Sequence, residues 1–164
     1  MAEKDEREKA QRIIADNRKA RHDYHILETY EAGIALLGTE VKAIREGRVN
    51  LRDSYARTEG AEVWMINVHI SPYSHRGYAE HAETRQRKLL LHRHEIRKLI
   101  GRTAEKGLTL VPLQMYFKNG RVKVLVGLAR GKQAHDKRET IRRREVDRET
   151  RSAIKAARRK GTAT

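Results

Sequence analysis

The chain contains no cysteine among its 164 residues, which excludes a disulfide framework, a thiolate-held metal and a thiol nucleophile. Aromatic residues make up 5% of it, with one Trp and one Phe, too few for a stacking platform along an extended single strand. Apolar residues reach only 38%, against about 45–50%, glycine included, in ordinary globular domains. The core is therefore limited. No run approaches the ~18 consecutive apolar residues of a membrane span, and Met1–Ala10 is too polar for a secretory leader. These absences predict a cytoplasmic protein with no membrane partner. Acidic residues are also short, with 22 Asp and Glu against 37 Lys and Arg. The net charge of +15 and pI near 10.4 give a strong preference for polyanions.

That charge is uneven. Residues 1–25 hold seven basic and six acidic side chains, residues 26–129 seventeen and eleven, and Arg130–Thr164 thirteen and five. Beyond Leu128 the large apolar residues are Ile141, Val146 and Ile154 alone. Three cannot offset an ordering cost of roughly 1–2 kcal/mol per residue. The chain divides into one folded body, residues 1–130, and a basic tail, residues 131–164, predicted to be disordered when free. No Gly or Pro interrupts Lys132–Lys160, and its Arg, Lys, Glu and Ala favour helix. Neutralisation by a polyanion would order it.

In the body, Leu108–Phe117 and Val122–Leu128 flank Asn119-Gly120, the strongest hairpin signal in the chain. Alternation puts Thr109, Val111, Leu113, Met115 and Phe117 on one face of the first strand. Val122, Val124, Val126 and Leu128 share one face of the second, leaving Lys123 on the other. A second pair, Asn50–Thr58 and Glu62–Ile70, turns at Gly60, and an earlier strand covers Tyr24–Tyr30. One short helix starts at Thr39 as N-cap and stops at Gly47. Another runs over His92–Ile100, buries Ile96, Leu99 and Ile100, and ends at Gly101. The pattern also admits an N-terminal helix near Glu3–Asp16 and an exposed loop over Arg76–Arg87. The predicted class is mainly β with short helices (α+β), a small closed antiparallel barrel of about six strands.

Catalytic signatures are missing. His94-Glu95 opens like HExxH, but Lys98 stands where the second ligand belongs, and Gly131-Lys132 lacks the rest of a phosphate-binding loop. His22 with His25 and His92 with His94 lack a third clustered ligand. Glu31, Glu40 and Asp53 read as neighbours that neutralise Arg and Lys. No catalytic residue, metal or cofactor is expected. Binding chemistry is better supported: Asn17, Arg18, Lys19, Arg21 and His22 interleave cations with polar groups before Tyr24, and Arg87 and Lys88 lead into Leu90 and His92. Such cations meet phosphates, while His, Tyr and Arg can stack on exposed bases. His135 lies in the charged junction Gly131–Arg138, away from any core.

These stretches closely resemble the SmpB (small protein B) family, bacterial proteins that bind transfer-messenger RNA in trans-translation. The resemblance rests on residues 17–24 (NRKARHDY), 31–33 (EAG), 38–45 (GTEVKAIR, with Lys42), 47–55 (GRVNLRDSY), 87–93 (RKLLLHR), 108–116 (LTLVPLQMY), 123–132 (KVLVGLARGK) and 135–138 (HDKR). It implies an oligonucleotide-binding-type (OB) barrel with three helices, acting as a non-enzymatic adaptor and monomeric when free. It also implies that the body holds the elbow and D-loop region of the transfer-RNA-like domain. By position, Glu31, Leu90, His92 and Lys123 belong to that face, with Asn more common in the family where this chain has His92. The tail would enter the small-subunit decoding centre and the empty messenger channel of the ribosome, becoming helical there. Gly131, Lys132, His135, Asp136, Lys137 and Arg138 would lie near the decoding nucleotides. Read from charge alone, the alternative is a generic ribosomal or ribosomal-RNA-binding protein with a basic extension.

Overall fold

The computed structural model describes residues 11–74, 81–105 and 107–161. In chain order the elements are β1 (Gln11–Asp16), α1 (Arg18–Asp23), β2 (Tyr24–Ile34), α2 (Gly38–Arg45), β3 (Val49–Asn50), β4 (Tyr55–Glu59), β5 (Glu62–Ile66), β6 (His69–Ile70), β7 (Arg87–Leu90), α3 (Arg93–Thr103), β8 (Leu108–Lys118), β9 (Arg121–Gly131) and α4 (Ala134–Gly161). The chain falls into two units, divided after Gly131.

In the first unit the strands follow the order β8-β4-β5-β7-β2-β9, and β9 returns to β8, closing a six-stranded antiparallel ring. Closure pairs each of these six strands on both sides, and edges paired in this way offer nothing to a foreign strand. β1 takes the stretch of β8 edge that β4 leaves free, Gln11 pairing with Lys118 and Asp16 with Gln114. The β8–β9 reversal is the expected one: Asn119 and Gly120 have φ of 51° and 73°, the left-handed pair that a tight hairpin with right-handed strand twist requires. The barrel is filled by Val63, Met65, Leu89, Leu110, Met115, Val124, Val126 and Leu128, all buried, with Leu99 of α3 packed among them.

Several expectations change for tertiary reasons. β8 does not keep one apolar face. A register shift between Pro112 and Gln114 flips the alternation, so Leu108, Leu110 and Met115 enter the main core. Val111 and Leu113 instead meet Ala20 and Ala129 in a smaller outer cluster. Pro112 has no N–H to give the ladder, and a bulge is where a strand tolerates that. Residues 11–16 of the expected N-terminal helix are strand β1; the rest of that helix lies outside the described residues. The free edge of β8, with β-branched Ile13 and Ile14, outweighs weak helical propensity.

The pair Asn50–Thr58 and Glu62–Ile70 breaks into four strands, because Asp53 and Asn67 have φ near 60°. α2 starts at Gly38, one residue before Thr39, with the backbone N–H of Leu37 donating to Glu40 Oε1 at 2.9 Å. α3 runs through Gly101 to Thr103, because Arg102 Nη1 reaches Glu28 Oε1 at 3.2 Å and holds the last turn on β2. Leu99 is buried as expected, whereas Ile100 is exposed. Of the expected Arg76–Arg87 loop, residues 76–80 lie outside the described residues, and Arg87 opens β7 instead.

The second unit is one helix. α4 spans 28 residues, and Ile141, Val146 and Ile154 stay exposed along it.

Candidate nucleic-acid interface

Strand register assembles the outer face of β7-β2-β9-β8. Leu90 pairs with Gly33, Gly33 with Lys123, and Lys123 with Tyr116. Residues directly opposite across neighbouring strands share a face, and so does Glu31, two residues before Gly33. Glycine at 33 has a steric reason: a Cβ there would stand 3.2 Å from Leu90 Cβ. Leu90 can thus lie across β2 with 52% of its surface exposed.

Glu31 is held by two partners on this row. Tyr116 donates its hydroxyl to Glu31 Oε2 at 2.5 Å, and Lys118 Nζ lies 3.2 and 3.1 Å from Oε1 and Oε2. Burial pushes the carboxyl up, but Tyr116, Lys118 and Lys123 together hold it below the ordinary range. Tyr116 is itself buried, and burial and then Glu31 raise its phenol. The result is a fixed anionic acceptor beside a cation. Lys123 is half-buried and makes no hydrogen bond or ion pair among the described residues, so its ammonium is available to a phosphate. Two residues beyond Leu90, exposed His92 caps α3 and stacks on His94, with centroids 5.6 Å apart and planes within 11°. This face offers an apolar side chain, an imidazole, a cation with no hydrogen bond or ion pair among the described residues and an immobilised carboxylate, the parts needed to grip a looped RNA by base, sugar and phosphate.

The other sequence-predicted residues are elsewhere. Lys19 pairs with Asp53, Arg21 with Asp16 at 3.0 Å and His22 with Asp23 at 3.0 Å, which leaves Arg18 as the α1 cation without a partner among the described residues. Lys42 lies over the Tyr73 ring, 5.4 Å from its centroid. Lys88 donates to Glu62 at 2.7 Å. Lys132 Nζ reaches Thr140 at 3.1 Å beyond the end of β9 at Gly131, and His135, Asp136, Lys137 and Arg138 occupy the start of α4.

Two residues must be withdrawn as RNA contacts. Asn17 is buried and spends its amide on the fold: Nδ2 donates to Leu51 O (3.1 Å) and Pro112 O (2.9 Å), and Oδ1 accepts from Ala20 N (3.1 Å). Arg87 is fully buried. Its Nε donates to Glu40 Oε2, its Nη1 to the carbonyls of Val68 and Arg85 at 2.9 Å, and its Nη2 to that of Glu83 at 3.1 Å. The basic run that suggested a surface cation is the start of β7, and alternation turns this side chain inward.

Sequence reasoning missed Tyr116 and Lys118. Their signal was present in the Asn119-Gly120 turn, which fixes Tyr116 opposite Lys123. Among the described residues no cluster of His, Asp or Glu suits a metal, and no helix is long and apolar enough to cross a membrane.

A closed β-barrel with this outer face and a separate basic helix defines a small nucleic-acid-binding barrel protein. The chain belongs to the SmpB family: the family profile described as "SmpB protein" matches residues 14–156. It is 62% identical over 146 residues to an SsrA-binding protein of Trichodesmium erythraeum, covering 88% of this chain and 94% of that one. A Carboxydothermus hydrogenoformans SsrA-binding protein is 59% identical over 146 residues, covering 89% and 98%. A chain of the solved structure described as "tmRNA-SmpB: a journey to the center of the bacterial ribosome" is similar with a TM-score of 0.64 and 56% identity, covering 79% of this chain and 94% of that one.

Proposed function

We infer that this chain is an SsrA-binding adaptor of trans-translation: it binds transfer-messenger RNA and acts with it on the ribosome, and it is not an enzyme. The observation that carries this reading is its match, over nearly the whole length of each partner, to SsrA-binding proteins at about 60% identity. The structural neighbour on the ribosome agrees with it.

The finer assignments are ours. Lys123 takes a phosphate, Leu90 and His92 meet an exposed base or sugar, and Glu31 accepts from a base edge that its fixed geometry can select. Arg18 and Lys42 supply further phosphate contacts away from this row. The tail, with Lys132, His135, Lys137 and Arg138 at its start, enters the decoding centre and empty messenger channel. Delivery is to ribosomes stalled without a usable stop codon, in the cytoplasm where they translate. A gel-shift competition at physiological salt tests the reading. Transfer-messenger RNA should displace the labelled complex well before bulk transfer RNA or ribosomal RNA does. Equal competition would make the chain a generic ribosomal-RNA-binding protein, since phosphate contacts alone mimic affinity at low salt.

A further inference from the structure

Beside the RNA face, a groove of about 540 Å³ runs between the start of α3 and the β5–β7 side of the barrel. Its apolar lining includes Leu90, Ile96 and Ile100, of which Leu90 is 52% and Ile100 38% exposed. Its charged lining is less balanced than it first looks. Glu62 neutralises Lys88 at 2.7 Å, whereas Arg93 and Arg97, a turn apart on α3 and both exposed, make no ion pair or hydrogen bond among the described residues. Two uncompensated guanidiniums over an apolar floor match a nucleotide, whose base is flat and apolar on its faces and whose phosphates favour Arg. The volume falls within the ~300–1,000 Å³ of ordinary small-molecule sites. Leu90 lines both this groove and the row that carries Gly33 and Lys123, so the two surfaces are continuous.

We propose that the groove takes one unstacked nucleotide of the bound RNA, its base against Leu90 and Ile100 and its flanking phosphates on Arg93 and Arg97. The inference rests on the RNA-binding reading above and extends its contact surface over the sheet edge onto α3.

The test uses the full chain and full-length transfer-messenger RNA. R93Q/R97Q should weaken binding about tenfold near physiological salt and lower the slope of log K against log salt by about 1.4–1.8, the loss of two phosphate contacts at about 0.7–0.9 each. A p-benzoylphenylalanine photoprobe at Ile100 should give an RNA adduct that maps to a single nucleotide. With K123Q run in parallel, a weakened K123Q beside an unchanged R93Q/R97Q slope, or an Ile100 probe with no RNA adduct, overturns the groove assignment and leaves the adaptor reading standing. An adduct only to a ribosomal protein, formed when ribosomes are added, overturns it in favour of a protein partner. Failure of the wild-type chain to prefer transfer-messenger RNA over competitors removes both readings.

Discussion

Replacing Arg87 by Met separates a cation that binds RNA from one that holds the barrel together. Arg87 and Glu40 have no side-chain exposure at all, and breaking a buried pair from one side costs about 3–5 kcal/mol because the other charge is stranded. The low end applies here. Glu40 keeps Arg85 and the Leu37 N–H as partners, although Arg85 is about one-third exposed. The carbonyls of Val68, Glu83 and Arg85 nevertheless lose a donor. A loss of about 3 kcal/mol is large against a total of about 5–15 kcal/mol. With a urea m-value of about 1.5–2 kcal/mol/M it lowers the midpoint by about 1.5–2 M. The assay is urea unfolding followed by Trp64 fluorescence, with RNA affinity measured across salt on protein kept in the folded range. E40Q/R87M should lose less than the sum of its single variants, since it leaves no fully buried charge and the Arg85 it unpairs is about one-third exposed. The R87M salt slope should equal that of wild type. A midpoint within about 0.3 M of wild type together with a shallower salt slope would refute the reasoning and return Arg87 to the RNA surface.

Burial raises the Glu40 carboxyl, but the Leu37 N–H, Arg85 and Arg87 outweigh it and hold its folded-state pKa below the ordinary value near 4.5. The unfolded chain therefore takes up this proton first as pH falls. Glu40's contribution is complete above about pH 4.5 and declines below it, so E40Q should flatten the acid limb of stability measured by urea midpoints from pH 6 to 3. Glu31→Gln should weaken transfer-messenger RNA binding about tenfold at matched salt, measured on protein kept in the folded range because the variant also loses the Lys118 ion pair, a hydrogen bond to a charged group being worth about 1.5–3 kcal/mol; equal affinity would sink the acceptor role. Gly127→Ala brings a Cβ to 2.9 Å from Leu113 Cδ1 and should cost about 1–3 kcal/mol in the same unfolding assay. Truncation after Gly131 should spare binding to free transfer-messenger RNA and abolish tagging on stalled ribosomes. Parallel losses of both would refute the division of labour between body and tail.

Local signals carried much of the fold. The Asn119-Gly120 turn, the alternation of Val122, Val124, Val126 and Leu128, and the stop at Gly47 were all readable, because turn chemistry and period-2 patterning act between near neighbours. Of the interface, Glu31, Leu90, His92 and Lys123 were named from the family resemblance, and register places them on or beside one sheet face. Boundaries fared worse where distant groups decide them. α3 passes Gly101 because Glu28 holds Arg102 from another strand, and β1 forms because β8 has an edge to fill. Basic runs were the least informative signal. Charge in a sequence carries no direction, and Arg87 and Lys88 are adjacent yet face opposite ways.

By itself, then, the sequence determined the family, the antiparallel β class and the concentration of charge beyond Leu128, all of which follow from residue identity, spacing and short-range conformational preference. The tertiary structure alone decided which cations are free. Glu40 takes Arg87 into the core, and Asp53, Asp16 and Glu62 occupy Lys19, Arg21 and Lys88, whereas Lys123, Arg93 and Arg97 stay unpaired among the described residues. Tyr116 and Lys118 likewise turn Glu31 into a fixed acceptor across 85 and 87 residues of chain. The physical reason is common to both: pairing, desolvation and immobilisation depend on which groups the closed barrel brings within hydrogen-bond distance, and no local pattern encodes that.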